Sequence, residues 1–274
     1  MNNPRVFLAL AAAALCLSLL PVRALAQTTA PCAPARGALV LVGGGANRPA
    51  FMDRFMQLAG GAKARIVVIP SALDDAWLSA DRMGQLLASS RRIFGPSAQL
   101  LHTHSRAAAD SAAFVQPLRS ATGVWILGGD ETLLADAYAG TQTETEIKAV
   151  LARGGVVGGT SAGAMIAGAV LVTAKASPLT VLGTRPAFGL LPDSYIVPHW
   201  SQRKLNFDLL AAAFAKYPAR TAIGIDEATA AIVQGGSLEI AGDGRVGIYD
   251  GKDHNGTPYE LLSSGQKIAL PICA

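Results

Sequence analysis

Short apolar runs rich in β-branched residues, each ending in glycine or turn residues, constrain this chain more than any other feature. Residues 37–42 run into Gly43, Gly44 and Gly45, and residues 64–69 into Pro70 and Ser71. Residues 124–127 run into Gly128 and Gly129, and residues 155–158 lead to Thr160 and Ser161. Such near-continuous apolar runs are strands buried on both faces. Helical spacing over residues 52–59, 77–91 and 131–153 falls after successive runs. Alternation of this kind predicts an α/β fold of three layers: a mostly parallel sheet with helices on both faces. Residues 222–225, 230–233, 237–240 and 244–249 are shorter strands split by turn pairs such as Gly235-Gly236 and Gly242-Asp243. These predict antiparallel strands near the C-terminus.

The chain has 274 residues, 51% hydrophobic and only 15% charged, which excludes a disordered polypeptide and supports a single core. Its formal charge of +4 comes with no run of Lys or Arg, so nucleic acid is not an expected partner.

Residues 1–26 read as an export signal. Arg5 supplies a basic start, residues 6–20 are apolar apart from Ser18, and Ala24-Leu25-Ala26 gives the small-x-small pattern for cleavage after Ala26. The apolar run is shorter than the ~20 residues of a spanning helix. The reading is therefore a secreted or periplasmic protein, soluble after cleavage and without a membrane partner, whose residues 27–274 form one domain. Arg5 and Arg23 leave with the leader, so part of the basic excess belongs to it. Cys16 leaves too, and the remaining pair, Cys32 and Cys273, is expected to form a disulfide in an oxidising compartment. In the chain-entropy model so long a loop contributes roughly 4–5 kcal/mol.

The chemistry concentrates at Gly159-Thr160-Ser161-Ala162-Gly163, a G-x-S-x-G pattern where a predicted strand meets a predicted helix. The turn presents the serine hydroxyl, and it aims the Ala162 amide at the place where a carbonyl oxygen would sit during attack. A serine needs a base. Of His102, His104, His199 and His254, His199 is favoured because it follows the apolar stretch 195–197 through Pro198, at the sheet edge where ligands collect in α/β folds. His102 and His104 alternate with Leu101 and Thr103 and read as a solvated strand pair. With no third ligand in evident spacing, no metal ion is expected there. His254 reads as part of an exposed turn. The orienting carboxylate is Asp226 or Glu227, both directly after a buried strand.

With Leu41-Val-Gly-Gly-Gly45, Leu127-Gly-Gly-Asp130, the elbow around Ser161, Gly189-Leu-Leu-Pro192, His199-Trp200 with Arg203, and Gly224-Ile-Asp-Glu-Ala-Thr-Ala230 in this order, the chain resembles the cyanophycinase and dipeptidase E family of serine peptidases. The resemblance implies a flavodoxin-like fold related to class I glutamine amidotransferases. It also implies Ser161 as nucleophile, His199 as base, Glu227 as orienting acid, and the Gly129 and Ala162 amides as an oxyanion hole, with no cofactor. Asp130, Glu131 and Arg203 fall at substrate-binding positions. Where cyanophycinases carry Gln, Asp and further arginines, this chain has Glu131, Val197, Leu205 and Asp208, and only Arg203 remains to fork a substrate carboxylate. The expectation is an exported serine hydrolase cleaving a peptide or β-aspartyl isopeptide bond through an acyl-enzyme. A non-catalytic binding protein on the same fold and a small-substrate esterase are the alternatives, and dimerisation is left open.

Overall fold

The computed structural model describes residues 36–270 except Ala46. The expected leader, Cys32 and Cys273 lie outside the described residues. Strands in chain order are β1 (Ala38–Val42), β2 (Ile66–Ile69), β3 (Gln99–Leu100), β4 (Gly123–Ile126), β5 (Val156–Thr160), β6 (Val170–Ala176) and β7 (Leu179–Pro186). They continue as β8 (Ser194–Pro198), β9 (Thr221–Ile225), β10 (Thr229–Gln234), β11 (Ser237–Gly242), β12 (Arg245–Tyr249), β13 (Glu260–Ser263) and β14 (Lys267–Ala269). The helices are α1 (Pro49–Leu58), α2 (Ala80–Phe94), α3 (Arg106–Ala109), α4 (Gln116–Ser120), α5 (Glu131–Tyr138), α6 (Gln142–Ala152), α7 (Ala162–Met165) and α8 (Lys204–Lys216).

The main sheet has the order β14-β11-β10-β1-β5-β4-β2-β3. Strands β1 to β5 are parallel, whereas β10, β11 and β14 join antiparallel beyond β1. Because side chains alternate along a strand, β1 feeds both faces. Ala38, Val40 and Val42 join Phe51 and Phe55 of α1 and Phe94 of α2 in one cluster. Leu39 and Leu41 join Leu134, Tyr138, Ile147 and Val150 of α5 and α6 in another. Both faces are dry, which is why the parallel strands carry so few polar residues. Phe55 meets Trp125 edge-on, with ring centres 5.0 Å apart, filling the first layer.

One expectation is corrected and one, the antiparallel strands near the C-terminus, is met in two sheets. The single helix over residues 131–153 is two helices, α5 and α6, because Gly140 takes φ +75°, which ends α5, and its amide donates to the Glu144 carboxylate at 2.6 Å. The short strands near the C-terminus do not all extend the main sheet. β9 and β12 belong to a second sheet, ordered β13-β12-β9-β8. One face of this sheet, with Ile196, Ile223, Ile225 and Ile248, packs into the main core. The other, with Tyr195, Val197 and Trp200, is covered by Leu210 and Ala213 of α8. A β6–β7 hairpin forms a third, two-stranded sheet.

The three-layer, mostly parallel flavodoxin-like arrangement thus holds for the main sheet. Its order also gathers the ends of β1, β2, β4 and β5, with the loops that follow them, at one edge. Open α/β sheets place their ligand sites at such an edge.

Candidate active site

At the end of β5 the chain turns into α7 through Ser161, whose backbone sits at φ 52° and ψ −116°. This is a costly conformation for a residue with a side chain, of the order of 1–3 kcal/mol, and it points the hydroxyl out of the sheet edge. Glycines on either side permit it: a Cβ on Gly159 would lie 2.3 Å from the Gly163 carbonyl oxygen, and one on Gly163 would lie 2.2 Å from that of Ile126. Main-chain bonds fix the turn, with Ser161 N–H donating to Val42 O at 2.9 Å.

His199 comes from the second sheet, not from the main sheet edge as the sequence suggested. It follows β8 at φ 50°, and its N–H donates to Gly43 O at 2.8 Å, docking the end of one sheet on the glycine run that ends β1 of the other. From there its Nε2 lies 2.9 Å from Ser161 Oγ, and its Nδ1 lies 2.6 Å from Glu227 Oε1. Glu227 follows β9, and its amide donates to the Gln202 side chain at 3.0 Å. With Nδ1–H donating to the carboxylate, Nε2 carries the bare lone pair that can accept the serine proton.

The choice between the two acids falls to geometry. Asp226 is 2% exposed, and its oxygens accept from the Ser201 amide at 2.9 Å and the Arg245 amide at 3.0 Å. It holds the loop after His199 and does not reach the imidazole. Only Glu227 does.

The other expected residues are spread around this centre. A Cβ on Gly128 would lie 3.1 Å from Ser161 Cβ, so the loop carrying Gly129 runs beside the serine. Neither the Gly129 nor the Ala162 amide donates to a main-chain acceptor outside its own element among the described residues. The Ala162 N–H, in the first turn of α7, has no acceptor within the helix either. Asp130 caps α5, its Oδ1 accepting from the Thr132 amide at 2.7 Å. Burial pushes the Glu131 carboxyl above its ordinary value, and the neighbouring Asp130 charge adds to the effect. Arg203 is 57% exposed, with Nη2 3.8 Å from Glu227 Oε1. Val197 is buried within β8, and Asp208 pairs with Lys204 along α8 at 2.7 Å.

Sequence reasoning missed Gly44 and Gln202. The triple glycine was legible as a strand end, but its second role, as the seat of the histidine, needed the second sheet.

Two further histidine readings change. β3 ends at Leu100, so His102 and His104 lie in the following segment, half-buried instead of on a solvated strand, and the fold brings Asp75 to them from 27 positions upstream of His102. His254 is paired with the buried carboxylate of Asp250 at 2.9 Å.

Comparison with known proteins finds relatives among peptidases. The model of peptidase family S51 matches residues 39–241. The cyanophycinase of Synechococcus elongatus is 28% identical over 245 residues, 86% of this chain and 74% of that protein. That of Geminocystis herdmanii is 26% identical, covering 86% of this chain and 88% of its own length. Among solved structures, a peptidase from an acI-B1 Actinobacterium superposes with a TM-score of 0.69 at 26% identity, over 85% of this chain and 97% of its own. A peptidase E protein described as putative, from Listeria monocytogenes, shares the fold with a TM-score of 0.52 at 17% identity, over 76% of this chain and 100% of its own. The chain belongs to peptidase family S51 and is a serine-type peptidase.

Proposed function

We propose that Ser161, His199 and Glu227 are the catalytic triad and that the enzyme cleaves a peptide or β-aspartyl isopeptide bond through an acyl-enzyme, outside the cytoplasm. The observation that carries the triad is the unbroken chain of contacts, 2.9 Å from Ser161 Oγ to His199 Nε2 and 2.6 Å from His199 Nδ1 to Glu227 Oε1.

In the first half-reaction Oγ bonds to the substrate carbonyl carbon while its proton passes to Nε2. The carbonyl oxygen becomes an oxyanion, for which the proposed donors are the Gly129 and Ala162 amides, neither of which donates to a main-chain acceptor outside its own element among the described residues. Collapse breaks the C–N bond, and the imidazolium returns the proton to the leaving nitrogen. Water then repeats the sequence on the ester: His199 takes its proton, hydroxide bonds to the carbonyl carbon, and Ser161 leaves reprotonated. The Glu227 carboxylate holds the tautomer and compensates the imidazolium.

A substrate with a carboxylate near the scissile bond is favoured by Arg203, whose exposed guanidinium lies beside the triad. The relatives named cyanophycinase support a β-aspartyl linkage. The resemblance puts further arginines where this chain has Leu205 and Asp208, which leaves Arg203 as the cationic group of that set and makes small β-aspartyl peptides the first substrates to test. The leader-like residues 1–26 support export.

The test is a panel of β-aspartyl dipeptides, cyanophycin and simple chromogenic esters offered to wild-type protein and to Ser161→Ala. Turnover of the β-aspartyl substrates by the wild type and its loss in the variant are expected. Equal turnover by both would end the triad assignment. Ester cleavage without any isopeptide cleavage would replace the substrate proposed.

A further inference from the structure

The segments following β2 and β3 bring three ligand-type side chains together. Asp75 Oδ1 lies 3.1 Å from His102 Nε2 and 2.9 Å from His104 Nδ1, and all three atoms fall within 4.8 Å of one another. Both imidazoles are held from behind by one buried residue. His104 Nε2 contacts the Ser71 carbonyl oxygen at 2.9 Å, and His102 Nδ1 contacts Ser71 Oγ at 2.8 Å. Ser71 Oγ is in turn 2.6 Å from Tyr138 Oη, which accepts from the Thr103 amide at 3.2 Å. Ser71 and Tyr138 are both 0% exposed.

This backing decides the chemistry at the front. A carbonyl oxygen only accepts, so His104 Nε2 must carry the proton, and in the neutral ring Nδ1 is a bare lone pair. That lone pair faces a carboxylate oxygen, another electron-pair donor. Two electron-pair donors 2.9 Å apart repel unless positive charge lies between them, either a second proton on Nδ1 or a metal ion. His102 meets the same carboxylate oxygen while its far nitrogen rests on a hydroxyl able to accept a proton. Hydrogen bonds behind the ring, here fixing the tautomer of His104 and compatible with the same one for His102, are the arrangement that holds metal-binding imidazoles.

We propose that Asp75, His102 and His104 bind a divalent transition-metal ion of the zinc class. Two nitrogens and one carboxylate oxygen are the donor set that such an ion takes, at about 2.0–2.2 Å from each, with the outer position left to water. Asp75 is 71% exposed, so solvent and the ion have access. The ion would tie the loop between β2 and α2 to the segment after β3. That loop also supports the expected oxyanion site, because Ala72 O accepts from the Asp130 amide at 2.8 Å, next to Gly129. The proposal does not depend on the triad or its substrate.

The experiment titrates zinc chloride into chelator-treated protein without an affinity tag, using calorimetry, with cobalt(II) absorption as a second readout. One equivalent should bind with micromolar or tighter affinity and raise the melting temperature. Asp75→Asn and His104→Ala should each weaken binding at least 30-fold, Ser71→Ala about 10–100-fold, and His199→Ala not at all. Because Asp75 is exposed, Asp75→Asn serves even where the histidine variant does not fold. Absence of saturable binding up to millimolar zinc would overturn the proposal. So would binding that survives Asp75→Asn or disappears in His199→Ala.

Discussion

Gly44 and His199 are in such close contact that a Cβ on Gly44 would lie 2.1 Å from Cε1 of the imidazole. Gly44 also has φ +111°, a region that residues with side chains rarely adopt. Gly44→Ala should therefore displace the ring from Ser161 and lower kcat/KM by about 10²-fold or more, the loss that a shift of about 1 Å in a catalytic group produces. Steady-state kinetics on a β-aspartyl substrate, with circular dichroism to verify folding, would check this. Near-wild-type activity would mean that the histidine is not seated by the glycine run.

Glu227 and Asp226 are adjacent in sequence but have different partners, so their variants should fail differently. Glu227→Gln leaves a side chain able to donate to Nδ1 and thereby favours the wrong tautomer. A kcat loss of roughly 10⁴-fold with little change in melting temperature is expected, by analogy with the Asp-to-Asn change in the chymotrypsin triad. Asp226→Asn keeps one acceptor oxygen and turns the other into an NH2 that faces a main-chain N–H, so it loses one of the two bonds and weakens the other, and should cost about 1–3 kcal/mol of stability. Denaturant titration beside kinetics on both variants separates the two behaviours.

Glu131 gives a pH signature. Burial raises its carboxyl in the folded protein, so folding favours the protonated form. That contribution is fully present below the unfolded value, about 4.3, and is lost as pH rises through the higher folded value. Glu131→Gln keeps the shape without the charge. Its melting temperature should exceed that of the wild type near pH 8, and the advantage should shrink toward zero on acidification below pH ~4. Melting curves across this range decide it, and a difference that does not vary with pH would refute the burial argument.

Tyr195 carries a buried hydroxyl with no hydrogen-bond partner among the described residues, and burial raises its ionisation well above the usual tyrosine range. Tyr195→Phe removes only this group and should stabilise the fold by about 1 kcal/mol. A lower denaturant midpoint for the variant would mean that the hydroxyl finds a partner in solution.

By itself the sequence determined the layered α/β architecture and the serine. Buried parallel strands must be apolar along their length, so residues 37–42 and 155–158 announced themselves, and a strained turn between strand and helix needs glycines at fixed offsets, so Ser161 did too. Local rules also pointed to His199 and to Asp226 or Glu227, but not to how these side chains meet. The break at Gly140 depended on a glycine within an otherwise helical spacing, a signal too weak to end a predicted helix. The second sheet, the seat of His199 on the triple glycine, the division of labour between Asp226 and Glu227, and the approach of Asp75 to His102 and His104 all join residues far apart in the chain or differing only in direction. Side-chain direction and long-range proximity are set by how strands pair and pack, and residue spacing encodes neither. Only the tertiary structure decided them.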